Sequence, residues 1–174
     1  MLSFTEDSLS FKFPDGWKVS KYDDWSFYRT KFQSCCLGNK AVDFLALDPP
    51  NKVLWLIEVK DYRHNKRTKG PPLYEEVAEK VRDTLSAMLP AALDNTHDNQ
   101  NFARDLLRVK QVRVVLYLEL APTSSKAFSP SEYKANIQQK LRQTLKQIDA
   151  HTLVVEMASM EKVTWKASHA THQS

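Results

Sequence analysis

Two nearly continuous apolar runs, residues 40–48 and 53–61, flank the tetrapeptide Pro49-Pro50-Asn51-Lys52. Each is short, rich in Val, Ile, Leu and Phe, and bounded by turn chemistry, so the pair reads as an antiparallel hairpin. With the turn centred on Pro50 and Asn51, Asp43 on the first strand falls level with Glu58 on the second. The two-residue period of a strand places Glu58 and Lys60 on one face and turns Val59 to the other. Two carboxylates and an amine therefore converge.

Around this hairpin the pattern predicts alternating strands and helices. Phe11, Phe13, Trp17 and Val19 alternate with polar residues about Pro14-Asp15-Gly16, which predicts a small opening hairpin. Trp25, Tyr28 and Phe32 share one helical face behind Asp23 and Asp24, either of which would cap that helix. Leu73, Val77, Val81, Leu85, Met88, Leu89 and Ala92 recur at three and four, the stripe of an amphipathic helix that Pro90 should end or kink near Met88. A short helix follows over residues 102–108, then a buried strand over 112–120, a linker of Pro-Thr-Ser-Ser, a helix marked by Tyr133, Ile137, Leu141, Leu145 and Ile148, and a strand over 153–157. Residues 1–163 read as one domain, and 164–174, with His169 and His172, as a flexible tail.

Composition narrows the chemistry. The 174 residues are 42% hydrophobic, enough for one sizeable core. Three glycines, Gly16, Gly38 and Gly70, build neither a dinucleotide fingerprint nor a phosphate-cradling loop. The net charge of +4 favours a polyanionic partner. Cys35 and Cys36, adjacent and alone, suit a reducing compartment, and with no signal peptide or membrane-length apolar run the expectation is a cytoplasmic protein. His64, His97, His151, His169 and His172 lack ligand spacing, and no nucleophile elbow is present.

Asp43 followed by Glu58-Val59-Lys60 across a hydrophobic hairpin resembles the core of the PD-(D/E)xK nuclease superfamily, although Val42 stands where the family's proline would be. The resemblance implies a restriction-endonuclease-like αβββαβ core: a central mixed sheet flanked by helices, here with an N-terminal hairpin added. It also implies a metal-dependent nuclease, with DNA ranked ahead of RNA as its substrate. Mg²⁺ or Mn²⁺ takes few carboxylates plus waters and substrate oxygens, so Asp43, Glu58 and the Val59 carbonyl form a sufficient set. Lys60 would orient or deprotonate the attacking water, its pKa lowered by burial or held up by the acids. In many relatives an acid of the first helix completes the site, a place that Asp23 or Asp24 would fill, with Asp24 preferred. Glu75 and Glu76 read as ordinary acids of a helix N-terminus.

Arg63, His64, Lys66, Arg67 and Lys69 follow the hairpin directly, and such a run would contact nucleic-acid phosphates. A lone core of this size would act as a homodimer or with a partner protein, away from membranes. The competing reading is a nuclease-like domain that no longer cuts and serves as a nucleic-acid-binding or assembly module.

Overall fold

The computed structural model describes residues 1–64, 67, 70–121 and 129–170. Lys66, Lys69, the expected Pro-Thr-Ser-Ser linker and His172 lie outside the described residues. In chain order the elements are β1 (Leu2–Glu6), β2 (Leu9–Phe13), β3 (Lys18–Lys21), β4 (Phe44–Asp48), β5 (Val53–Tyr62), α1 (Leu73–Leu93), α2 (Gln100–Leu106), β6 (Gln111–Leu120), α3 (Pro130–Thr144), β7 (Leu153–Val155) and β8 (Lys166–His169).

The strands form a five-stranded sheet in the order β3-β4-β5-β6-β7 and a three-stranded sheet in the order β1-β2-β8. The larger sheet is mixed: β4 runs antiparallel to both β3 and β5, while β5, β6 and β7 are parallel to one another. β5 is its centre and is apolar on both faces, as a strand covered from two sides must be. Leu54 and Leu56 point, with Leu45 and Leu47 of β4, into a core closed by α1, α2 and α3. Ile57 and Val59 point the other way, with Phe44 and Tyr117, against Leu9, Phe11, Phe13 and Trp165. Phe11 is the hub of that second core, its ring 5.4 Å from Phe44, 5.2 Å from Tyr117 and 5.8 Å from Trp165.

Helices thus cover one face of the mixed sheet and a small sheet covers the other, in place of helices on both sides. The opening hairpin is β1 with β2, turned at Asp7 in the left-handed region (φ 51°). The turn at Pro14 instead hands the chain to β3, which joins β4. The expected tail is corrected as well: Lys166–His169 is β8, paired antiparallel with β2. Trp165, buried beside Phe11, anchors its start.

Pro90 does not stop α1, which runs to Leu93. Its ring is on the exposed side of the helix, so the missing N–H is lost where water can reach the unpaired carbonyl. The expected short first helix forms over residues 26–32, with Tyr28–Phe32 wound as a π-helix, and a 3₁₀ turn, Tyr22–Asp24, precedes it. Neither Asp23 nor Asp24 caps it: Trp25 after the 3₁₀ turn is extended, and no side-chain cap is made at either start.

Candidate active site: a carboxylate pair between two lysines

The register of the hairpin sets the site. Phe44 pairs with Ile57, and continuing by one residue puts Asp43 opposite Glu58. Positions 54, 56, 58 and 60 share the α1 face of β5, so Glu58 and Lys60 continue the row begun by Leu54 and Leu56. Asp43 sits on that face for the same reason, two residues before Leu45.

The chain into Asp43 is held by named groups. Lys40 N–H donates to Asp83 Oδ2 at 2.9 Å and Val42 N–H to Thr84 Oγ1 at 3.1 Å, both from α1. The Asp43 carbonyl accepts from Tyr22 N–H at 3.1 Å. Its side chain reaches across the hairpin, where Oδ2 accepts the Val59 N–H at 2.6 Å.

Glu58 is 1% exposed, the most buried acid here. Its Oε1 accepts from Lys80 Nζ at 2.6 Å and lies 2.9 Å from Lys60 Nζ. Its Oε2 is buried without a hydrogen-bond partner. Lys60 Nζ also meets Glu76 Oε1 at 3.0 Å, and Glu76 Oε2 accepts from Arg67 at 2.6 Å. Lys80 Nζ is 4.0 Å from Asp43 Oδ1, so one ammonium spans both acids.

Burial, then the charge of Glu58, pushes the Asp43 carboxyl up to about 8, with Lys80 and the Val59 N–H opposing. Burial acts to lower the Lys60 ammonium, but Glu58 and then Glu76 outweigh it and raise it. Lys60 is therefore a fixed cation and a poor proton acceptor, which favours the orienting role over the deprotonating one.

A cleft of about 340 Å³ opens beside the pair, lined by Asp23, Tyr28, Arg29, Gln33, Lys40, Ala41, Asp43 and Lys80. Asp24, the expected first-helix acid, is not on it; its carboxylate is exposed and paired with Arg29. Asp23 is the acid that faces the cleft, its carboxyl raised by burial and then by Asp24.

Among the described residues no three of His, Cys, Asp and Glu converge as a metal-ligand group. A divalent cation at this site would therefore rest on Asp43, Glu58 and a backbone carbonyl. The unpartnered Glu58 Oε2 is an oxygen donor of the right hardness for it.

The basic run after β5 is only partly available. Arg63 is committed to Asp61, Ser8 and His169, and Arg67 to Glu76 and the Pro71 carbonyl, so neither guanidinium points away from the protein as expected. His64 is exposed.

Lys80 escapes the sequence reading, which takes Glu76 only as an acid of a helix N-terminus and ranks Asp23 behind Asp24. For Lys80 a signal existed: it lies between the buried Val77 and Val81 on the α1 stripe, where a charge needs a partner. Glu76 is its neighbour one turn earlier.

No family model matches the chain, and no solved structure matches it. A curated protein that does is a cysteine–tRNA ligase of Neisseria meningitidis serogroup A / serotype 4A (strain DSM 15465 / Z2491), 29% identical over 168 residues. The match takes in 79% of this chain and 24% of the ligase, so the chain spans about a quarter of that protein's length.

Proposed function

We propose that the chain is a metal-dependent phosphodiesterase of PD-(D/E)xK type, built on a restriction-endonuclease-like core and acting on nucleic acid, DNA before RNA. The observation that carries this reading is the juxtaposition of buried Asp43 and Glu58 with Lys60, Asp43 bordering a polar cleft. A buried acid pair works against folding unless a cation accompanies it. Lys80 and Lys60 accompany this pair, yet Glu58 Oε2 is buried without a hydrogen-bond partner, and that free acceptor points to a ligand.

Asp43, Glu58 and the Val59 carbonyl would hold Mg²⁺ or Mn²⁺. Such an ion, when bound, lowers the pKa of a water and screens charge at the phosphoryl oxygens. Lys60, fixed between Glu58 and Glu76, would orient that water and face the developing negative charge. Asp43 lines a cleft that also carries Lys40 and Arg29, groups suited to a phosphate backbone, and Glu58 is buried behind it. His64, exposed just after β5, would extend that contact beyond the site.

A second reading, a nuclease-like module that binds without cutting, is favoured by one observation: Lys80, 2.6 Å from Glu58 and 4.0 Å from Asp43, and Lys60, 2.9 Å from Glu58, already give the acid pair two cations without a metal.

Asp43→Ala and Glu58→Ala should each abolish Mg²⁺- or Mn²⁺-dependent cleavage of a panel of single-stranded, duplex and branched DNA while leaving the fold intact. Lys60→Ala should lower turnover ~10²–10⁴-fold with metal binding kept. The ligase relative places tRNA in the same panel. Full cleavage by both acid variants would end the catalytic assignment; binding without cleavage by the unmodified chain, with every metal, would select the second reading.

A further inference from the structure

The two lysines at the site are not equivalent. Lys60 is shared between two carboxylates, Glu58 and Glu76, on either side of its ammonium. Lys80 has Glu58 at 2.6 Å and Asp43 at 4.0 Å, so its partners are the two acids that a cation would need. Its backbone is locked on α1 between the buried Val77 and Val81, but its ammonium ends a four-carbon stem and borders the cleft. Asp23, which also lines the cleft, offers a carboxylate outside the pair.

We propose that Lys80 is an internal, exchangeable cation that competes with a divalent metal for the Asp43–Glu58 pair. In the metal-free protein its ammonium holds the acids together. When a divalent ion enters, the two positive centres repel at contact distance, and the lysine swings into the cleft toward Asp23 while Lys60 stays with Glu76. The competition sets a low metal affinity and keeps the site stable when empty. This inference rests on the metal-dependent reading above.

The test is calorimetric titration of the full chain with Mn²⁺ alone, without nucleic acid. Lys80→Met removes the competing charge and keeps the stem's packing, and its Kd for Mn²⁺ should fall by about tenfold or more, since one unit charge at ~4 Å carries ample repulsion for that. Lys80→Arg keeps the charge and should retain weak binding. Lys80→Gln repeats the first comparison if the methionine variant does not fold. The metal-free melting temperature of Lys80→Met should drop, because two buried acids lose their shared partner, and added Mn²⁺ should restore it.

Equal or weaker Mn²⁺ binding by the neutral variants overturns the competition while leaving the metal site standing. Absence of binding by the parent and by every variant overturns the metal reading and this inference with it. Tight binding by Lys80→Arg equal to that of Lys80→Met would show that side-chain shape and not charge is at work, and would overturn it too.

Discussion

Asp43 carries an ionisation that the fold resists. Burial and Glu58 push its carboxyl up to about 8, against an ordinary value near 4 in the unfolded chain. A raised acid works against stability once the unfolded state has lost its proton, so stability falls as pH rises from about 4 to about 8 and is level below that window. Asp43→Asn keeps an acceptor for the Val59 N–H and removes the titration. Thermal melts across pH should therefore show the variant gaining on the parent between about pH 4 and 8, with the gain shrinking when Mg²⁺ is present. A difference that does not change with pH would mean that Asp43 titrates normally.

At this scale the sequence was a good guide where strand geometry decides. The period of two and a four-residue turn suffice to bring Asp43, Glu58 and Lys60 to one face, because hairpin register is local. Lys80 was out of reach and Asp23 could not be told from Asp24, since their approach depends on the rotation of α1 and on a short irregular segment whose position is set by contacts far along the chain.

At the scale of elements, the hairpin is clamped to α1 by two side chains that a helix stripe does not advertise. Thr84 and Asp83 are buried polar residues on α1, and each accepts a backbone N–H from the segment leading into β4. These bonds replace ladder partners that residues 40–42 lack, and so fix where Asp43 begins. Thr84→Val preserves shape but strands the Val42 N–H in the core. We expect ~1–3 kcal/mol lost in denaturant unfolding. Cleavage should drop beyond the loss of folded protein, because Asp43 is set by that segment. Unchanged stability would show that the N–H finds another partner.

The helix-sheet order was readable for the same local reasons, and the errors fell where local signals compete. Pro90 is a strong stop signal that a solvent-facing position tolerates. Pro14-Asp15-Gly16 is a good hairpin turn, but the strands on its two sides serve different sheets, because Phe11 and Phe13 find more burial against Phe44 and Trp165 than β3 would give them.

Across the whole molecule, the charge after β5 binds the layers together. Arg63 Nε donates to Asp61 Oδ1 at 2.8 Å and Nη2 to Asp61 Oδ2 at 2.6 Å. The same guanidinium donates to Ser8 Oγ in the β1–β2 turn at 2.8 Å and lies 2.8 Å from His169 Nδ1 in β8. One side chain thus fastens the small sheet to the end of β5. The hydrogen bonds from Arg63 hold the Asp61 carboxyl well below the usual carboxylate range. A depressed acid contributes stability that is complete above its unfolded value, near 4, and is lost as pH falls toward its folded value. Arg63→Ala should therefore cost ~1.5–3 kcal/mol at neutral pH, as charged hydrogen bonds of this kind do. The deficit should narrow on acidification below about pH 4, where the parent loses the same advantage. If Arg63 instead contacted a phosphate, its removal would lower the slope of log K against log salt by about 0.9 on duplex DNA and leave unfolding unchanged. Measuring both on one variant, with Ca²⁺ in place of Mg²⁺ to block cleavage, separates the roles. Loss of stability with an unaltered slope is expected, and a reduced slope with unaltered stability would return Arg63 to the nucleic-acid surface.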